Sequence, residues 1–449
     1  MRLTLYSVLL WVIVWSGVVH AQESGEPLSL AQAIATALEK NPFLRATQQQ
    51  VIAATTVERQ ARAGFLPTVD VEEGFSRSDS PISAFSAKLS QGRFSQNDLA
   101  LPRLNQPSAI SNFHTALSLV QPLYTGGKAS LSLKRAQLHH EASLQNYERQ
   151  QQLVIFQVAS HYYGVLLAGK NLAVARAALT TAEANSTTAQ DRFATGMVVE
   201  SDLLSAQVRV ATLKEQEIVA GHRQTLALAA LNDAMGMPLE TQWRIEGPFV
   251  SRPSPTEPLP ELEEKALHQR PEYRQSHVEE QALEHGVALA RTTFLPTVRA
   301  TARYDINRPH FASGGQDNWF VGVTLHWNLF NGLGDVARVA EARAEVARSR
   351  ALQAQLASRI TLEVKDAFLT VKAAEERISV ARQGVTQADT ALQIITDRYR
   401  AGLTTIVELV SGEAAVTTAH GALAQALHDQ SIGVVGLELA VGTLRQDSF

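Results

Sequence analysis

The second half of this chain repeats the first. Phe65-Leu66-Pro67-Thr68-Val69 recurs as Phe294-Leu295-Pro296-Thr297-Val298, an offset of 294 − 65 = 229, and Ala37, Leu38 and Pro42 reappear at the same offset as Ala266, Leu267 and Pro271. Further along, Pro122-Leu123-Tyr124-Thr125-Gly126 aligns with Asn328-Leu329-Phe330-Asn331-Gly332, and the offset becomes 332 − 126 = 206. It stays at 206 through Asp191-Arg192-Phe193 with Asp397-Arg398-Tyr399, Gly196 with Gly402, Leu231 with Leu437 and Gly236 with Gly442. The first copy therefore carries 229 − 206 = 23 residues that the second lacks. Two copies of roughly 200 residues use one architecture twice, which excludes a pair of unrelated domains. Repeat one is expected at 22–246 and repeat two at 261–449. The prolines at 248, 253, 255, 258 and 260 predict a stiff, extended linker over 247–260.

Each repeat holds two segments of period two, predicting β-hairpins at about 68–124 and 297–330. From Trp319 to Leu329 the odd positions are Trp319, Val321, Val323, Leu325, Trp327 and Leu329, while Gly322, Thr324, His326 and Asn328 alternate with them. One face is greasy and the other wet. Val298 to Ile306 alternates in the same way, and Val69–Ser76 and Phe113–Leu123 do so less cleanly. Beyond the hairpins, residues 123–237 and 310–449 contain no proline and consist mainly of helix formers. Val371, Ala374, Ile378, Ala381, Val385, Ala388, Leu392 and Ile395 follow an alternating three-and-four spacing, a heptad seam. Shifted back by 206, nearly the same seam runs from Val165 to Ala189. A helix from about 128 to 190 would be roughly 95 Å long, far beyond any compact domain. Gly196 and Gly402 interrupt these helices and predict tip turns.

Gly332-Leu333-Gly334-Asp335-Val336-Ala337 fits the glycine fingerprint of a dinucleotide-binding turn. Such a turn follows a strand that is apolar on both faces and leads on to a second strand, whereas here the strand alternates and the helix continues. Gly126-Gly127 and Gly332/Gly334 therefore read as turns from strand to helix, with no cofactor expected. No catalytic or metal site is expected either. His140-Glu141 is followed by Leu144 where a zinc protease needs its second histidine, and the thirteen histidines are scattered.

Residues 1–21, with Arg2, an apolar run from Leu3 to Val19 and Val19-His20-Ala21, predict a secretory signal peptide. With no cysteine in the chain, an exported product has neither a disulfide framework nor a lipid-modifiable thiol. A formal charge of −4 points to no nucleic-acid partner. Four alternating strands framed by Tyr124, Trp319, Trp327 and Phe330 predict the wall of a membrane barrel, with lipid against its outer face. A barrel needs at least about eight strands, so several chains must pool theirs. The extra residues of repeat one are expected to enlarge an extracellular loop within about 80–112. The rival readings are a soluble sandwich and a periplasmic coiled-coil adaptor or structural protein without a pore.

On the duplicated Phe-Leu-Pro-Thr-Val, the strand exits Gln121-Pro122-Leu123-Tyr124-Thr125-Gly126-Gly127 and Trp327-Asn328-Leu329-Phe330-Asn331-Gly332, the stretch Ser83-Ala84-Phe85-Ser86-Ala87-Lys88-Leu89, and the paired turns DRFATGMVVESDLL and DRYRAGLTTIVELV, the chain resembles the TolC-like family of outer-membrane channel proteins. The resemblance covers essentially the whole mature sequence. It implies a mainly α fold with a membrane β-barrel part: a homotrimer whose twelve-stranded barrel, four strands per chain, continues into a long periplasmic α-helical coiled-coil barrel. The implied partners are a periplasmic adaptor and an inner-membrane transporter of the RND or ABC type. The implied function is efflux or type I secretion. By resemblance Gly196 and Gly402 lie at the adaptor-docking periplasmic tips. Tyr399 matches an aromatic gate residue, Glu408 the first acid of a constriction, and Asp202 a partner in a closing link. Thr404 stands where the family pattern has a gate arginine and Ser411 where it has a second acid, which implies a differently latched gate.

Overall fold

The computed structural model describes residues 26–245, 252–254 and 256–449. The expected signal peptide lies outside the described residues, as do 246–251 and 255 of the linker region. Among the described residues the first half runs β1 (Glu26–Leu28), α1 (Leu30–Lys40), α2 (Pro42–Arg62), β2 (Thr68–Ser78), α3 (Pro81–Ser90), α4 (Leu101–Asn105), β3 (Ile110–Tyr124), α5 (Lys128–Ala194), α6 (Glu200–Met235) and β4 (Trp243–Ile245). The second half runs α7 (Leu259–Gln269), α8 (Pro271–Arg291), β5 (Thr297–Arg308), β6 (Gln316–His326), α9 (Gly334–Arg400) and α10 (Ile406–Val441). Leu259 and Pro260, expected in the linker, instead open α7. A first-turn proline lacks only an N–H that the helix would not use.

The two halves match in their paired helices, while β1, β4, α3 and α4 occur only in the first among the described residues. α1 and α7 have 11 residues each, α2 and α8 have 21, α5 and α9 have 67, and α6 and α10 have 36. The same junction is also built twice. α6 ends on Gly236 and α10 on Gly442, both in the left-handed region at φ 70° and 82°. Each presses its bare α-carbon onto the break between two short helices. A Cβ on Gly236 would sit 2.7 Å from the Lys40 carbonyl, and one on Gly442 would sit 2.9 Å from the Arg270 nitrogen. At the first break the Asn41 side chain accepts from the N–H groups of Phe43 and Leu44 and donates to the Ala234 carbonyl at 2.9 Å. At the second, buried Arg270 pairs with Glu272 at 2.5 Å and Glu363 at 2.6 Å.

The four longer strands form one antiparallel sheet in the order β2-β3-β5-β6. Cross-strand register stacks Val69, Leu119, Ala302 and Val321 in one row and Val71, Leu117, Tyr304 and Trp319 in the next, so the apolar positions of all four strands share a face. Trp319 is 76% exposed and Val321 66%, so no protein covers this face among the described residues. The opposite face carries Asp70, Glu72, His114, Arg303 and Asp305, with His114 Nε2 2.7 Å from Asp305 Oδ1. β6 ends at His326, earlier than its alternation suggested. Trp327 and Leu329 lie past it, and the Trp327 indole N–H donates to the Phe294 carbonyl at 3.0 Å. The outer edges of β2 and β6 pair with no other strand among the described residues. No helix among the described residues is long and apolar enough to cross a membrane.

The hairpins differ in their connections: residues 79–109 join β2 to β3, and only 309–315 join β5 to β6. The longer connection, expected as an enlarged loop, contains helices α3 and α4. Gln91 ties it to the strand ends, its amide donating to the Ser111 carbonyl at 2.8 Å and Asn112 Oδ1 at 2.9 Å. Lys88 Nζ lies 2.6 Å from Asp98 Oδ1. The Asp98 carboxylate also accepts from the N–H and hydroxyl of Ser95, and the lysine together with these donors lowers its pKa to about 2.

Packing of the long helices sets the rest of the frame. α5 runs beside α2 and then α6 on one side, and beside α8 and then α10 on the other; α8 and α10 in turn pack on α9. The short pair β1–β4 and helix α1 cover the middle of α5, where the Tyr162 hydroxyl donates to the Leu28 carbonyl at 3.0 Å. α7 covers α9 in the same way over Ile360 and Val364. Val380 and Ile394 on α9, Ile52 and Val57 on α2, and Val208 and Ile218 on α6 remain exposed. Among the described residues the slab thus has two unpartnered margins, one along α9 and one along α2 and α6.

Candidate functional site

Farthest from the sheet, α5 turns into α6 and α9 into α10. Both turns use the same backbone device. Gly196 and Gly402 each take φ 74°, a left-handed conformation that suits a residue without a Cβ. The N–H of Met197 bonds back to the Arg192 carbonyl at 2.8 Å, and that of Leu403 to the Arg398 carbonyl at 2.9 Å. Nothing lies within 4 Å of a Cβ built on either glycine. The backbone therefore demands these glycines and side-chain packing does not.

The side chains around the two turns are not equivalent. Tyr399 is 4% exposed and packs against Ala189, Ala206, Ile406 and Leu409, whereas its counterpart Phe193 is 40% exposed. Arg192 holds the buried tyrosine from outside. Its guanidinium lies 4.9 Å from the ring centre and donates to the carbonyls of Tyr399 at 3.0 Å and Arg400 at 2.9 Å. These are terminal carbonyls of α9, so the arginine caps that helix where its dipole is negative. Burial pushes the Tyr399 phenol pKa up, the Arg192 charge pulls it down and Asp202 pushes it up, so the phenol stays neutral. Its hydroxyl has no hydrogen-bond partner among the described residues.

The expected site residues divide into two groups. Tyr399 is buried inside one chain, where its ring is part of the packing between the two hairpins, and the Asp202 charge acts on it without a hydrogen bond. Glu408 is exposed in the first turn of α10, which Thr405 caps, and accepts a hydrogen bond from the Thr404 hydroxyl. Arg398 Nη1 lies 3.8 Å from its carboxylate. Ser411 is exposed. Farther along α10, buried Glu413 accepts from the Asn185 amide of α5 and lies 4.0 Å from Arg209 of α6. Desolvation raises its pKa against these two partners. It borders a groove of about 390 Å³ between α5 and α10, also lined by Lys170, Ala173, Thr181, Leu392 and His420. Sequence reading assigned no role to Arg192, Arg398 or Glu413. The duplicated Asp-Arg-Phe and Asp-Arg-Tyr carried a signal for the arginines, since both copies keep the basic residue beside the aromatic one.

At the opposite end of α5 and α9, Gly126 and Gly127 take φ 62° and 84°, and Gly332 takes 56°. Gly334 does not share that role. The second left-handed residue is Leu333 at φ 67°, and Gly334 is already the first residue of α9. The strand before this turn is antiparallel and belongs to a sheet with one bare face, so the glycine fingerprint lacks the parallel crevice that would hold a dinucleotide. No group of histidine, aspartate and glutamate among the described residues has a metal-binding arrangement. What the structure shows at the tips is one hairpin packed on the other within a chain, through Tyr399 and Arg192.

The chain matches the family model described as outer membrane efflux protein over residues 33–237 and 262–443. It is similar to outer membrane protein TolC of Vibrio cholerae, with 24% identity over 93% of this chain and 91% of that protein. It is also similar to the alkaline protease secretion protein AprF of Pseudomonas aeruginosa, with 23% identity over 94% and 86%. In fold it resembles the crystal structure of the Campylobacter jejuni CmeC outer membrane channel, at TM-score 0.79 and 17% identity over 99% of this chain and 95% of that one.

Proposed function

This chain belongs to the outer membrane efflux protein family, and from that premise we propose that three copies pool their sheets and long helices into one conduit whose far end the paired tips open and close. The family consists of outer-membrane channels of efflux and type I secretion systems that extend into the periplasm of Gram-negative bacteria as helices, and the chain is not an enzyme. The pooling of chains rests on the sheet, which has four strands with two open edges, one bare apolar face and one charged face, and the number three rests on the family resemblance, since two sheets would already supply eight strands. Three such sheets supply twelve strands, enough to close a barrel with lipid outside and water inside. The unpartnered margins of α9 and of α2 and α6 then meet around the helical wall. A coiled-coil adaptor without a pore has no use for such a sheet. Native mass measurement of the detergent-solubilised complex is expected to give three chains; one or two would overturn the reading.

At the tips, the packing of Tyr399 under Arg192 supports a closed state in which the second hairpin rests on the first of the same chain. Glu408, exposed beside the tip, would bring three carboxylates to the narrow end and favour cations there. A periplasmic adaptor would dock at the turns carrying Gly196 and Gly402, with an RND or ABC transporter below it. AprF's name assigns it to secretion of an alkaline protease, and that of a second relative, OpmQ of the same organism, to pyoverdine export. Both cargo classes fit an aqueous conduit lined by polar side chains.

A further inference from the structure

The duplication makes the Arg192 contact half of a pair. Adding 206 converts Arg192 to Arg398, and subtracting 206 converts Tyr399 to Phe193 and Arg400 to Ala194. Inside one chain, the first hairpin sends its arginine onto the end of the second. The second hairpin carries the corresponding arginine, but the hairpin it should reach is absent from the same chain. The packing order, α6 and α5 followed by α10 and α9, puts that next hairpin in the neighbouring protomer.

Three features of the single chain fit this gap. Phe193 is left exposed where its counterpart Tyr399 is buried. The terminal carbonyls of α5 at Phe193 and Ala194 correspond to those that Arg192 caps on α9. Arg398 is held only loosely at home: its contact with Glu408 is 3.8 Å long, and the side chains are 51% and 47% exposed, so releasing it costs little. The four residues that bury Tyr399 also have counterparts at the same offset. Ala189 and Ala206 become Ile395 and Gly412 on the arginine's own chain, and Leu409 becomes Leu203 across the boundary. Ile406 becomes Glu200, which places a carboxylate beside the incoming guanidinium.

We propose that Arg398 of each protomer caps the C-terminal end of α5 in the next protomer and lies over that protomer's Phe193, as a latch between chains that repeats the contact Arg192 makes within one. This rests on the trimer reading, and gives a closed ring held by Arg192 within chains and by Arg398 between them.

The natural chain has no cysteine, so introduced thiols are the only ones present. In the full-length trimer, Arg398→Cys with Phe193→Cys is treated with a short bismaleimide, because an arginine reaches farther than a disulfide spans. Arg192→Cys with Tyr399→Cys is the internal control. Dimers and trimers joined covalently in the first variant, with only intrachain linkage in the second, are the expected result. If the first variant links only within chains, or not at all, while its native mass remains that of a trimer, the latch between chains is wrong and the trimer stands. If the unmodified protein itself measures as a monomer or dimer, the trimer reading fails instead. Arg398→Ala supplies a second readout: its resting conductance in planar bilayers should rise several-fold, and an unchanged conductance would overturn the latch.

Discussion

Arg192 and Tyr399 lie 207 positions apart in sequence, yet the guanidinium of one covers the ring of the other and caps the helix that carries it. Hydrogen bonds from a charged donor contribute about 1.5–3 kcal/mol each when buried, and a cation over an aromatic face about 0.5–2 kcal/mol. Of the two bonds only the one to Tyr399 is part-buried, the one to Arg400 being exposed, so one hydrogen bond and the ring contact count, each at its lower end. Losing about 2 kcal/mol would move the closed-to-open ratio by up to about thirtyfold. Arg192→Ala should therefore raise resting conductance in planar bilayers while leaving the native mass unchanged. Arg192→Lys should recover only part of the closure, since an ammonium cannot bridge two carbonyls as a planar fork does.

Glu408→Gln should lower the cation preference of single-channel currents without disturbing assembly. The motivation is the exposed position of Glu408 beside the tip glycine, with Ser411 supplying no second acid. Unchanged selectivity in this variant, together with a fall on neutralising Asp202, would move the acidic ring to the first hairpin.

Glu413 should make the contact between hairpins depend on pH. Burial raises its pKa above the ordinary 4.5, so the folded state binds this proton more tightly than the unfolded one. The contribution is fully present below the ordinary value and is lost as pH rises through the raised one. Glu413→Gln, which stays neutral, should flatten that dependence and stabilise the protein at neutral pH. Thermal unfolding of both proteins across a pH series provides the check; parallel curves would remove Glu413 from the account.

Gly236→Ala and Gly442→Ala should both be strongly destabilising. A left-handed backbone costs an L-residue about 1–2 kcal/mol, and here the added methyl would also press on backbone at 2.7 and 2.9 Å. Gly196→Ala meets open space and should show the backbone cost alone, so its unfolding midpoint should fall least of the three.

An epitope inserted at exposed Gln96, in the long connection between β2 and β3, should be labelled on intact cells, because outer-membrane barrels keep their longer connections outside. Labelling only after permeabilisation would invert the sheet. The Lys88–Asp98 pair should hold that connection together under mild acid. The Asp98 pKa is lowered from 3.8 to about 2, so its contribution is present above the ordinary value and is lost only as pH falls toward the lowered one. Proteolysis of residues 79–109 at stepwise lower pH would follow the loss.

The alternation of Trp319, Val321, Val323 and Leu325 announced the bare face of the sheet, because a strand's two faces are set by local order alone. The seams on α5 and α9 were legible for the same reason. Where β6 stops was not legible: Trp327 continues the alternation, but its indole is drawn to the Phe294 carbonyl on another segment. The burial of Tyr399 was not legible for the same reason. The residues that cover it, Arg192, Ala189 and Ala206, belong to the other repeat and lie about 200 positions away in sequence. Leu333 in a left-handed turn, beside two glycines that seemed to claim that role, shows that the tertiary frame can place backbone strain one residue away from the residue best suited to it.

α5 and α9 contain 67 residues each, and α6 and α10 contain 36. At 1.5 Å per residue the longer pair reaches about 100 Å from the four-stranded sheet to the tips. This equality acts as a shared ruler. An insertion in one long helix alone would lower its tip relative to the other and rotate its seam, separating Arg192 from the carbonyls it caps. A lineage adapting to a deeper or shallower periplasm must therefore lengthen or shorten both copies together and by whole heptads, so the chain's own duplication fixes the increments in which its reach can evolve.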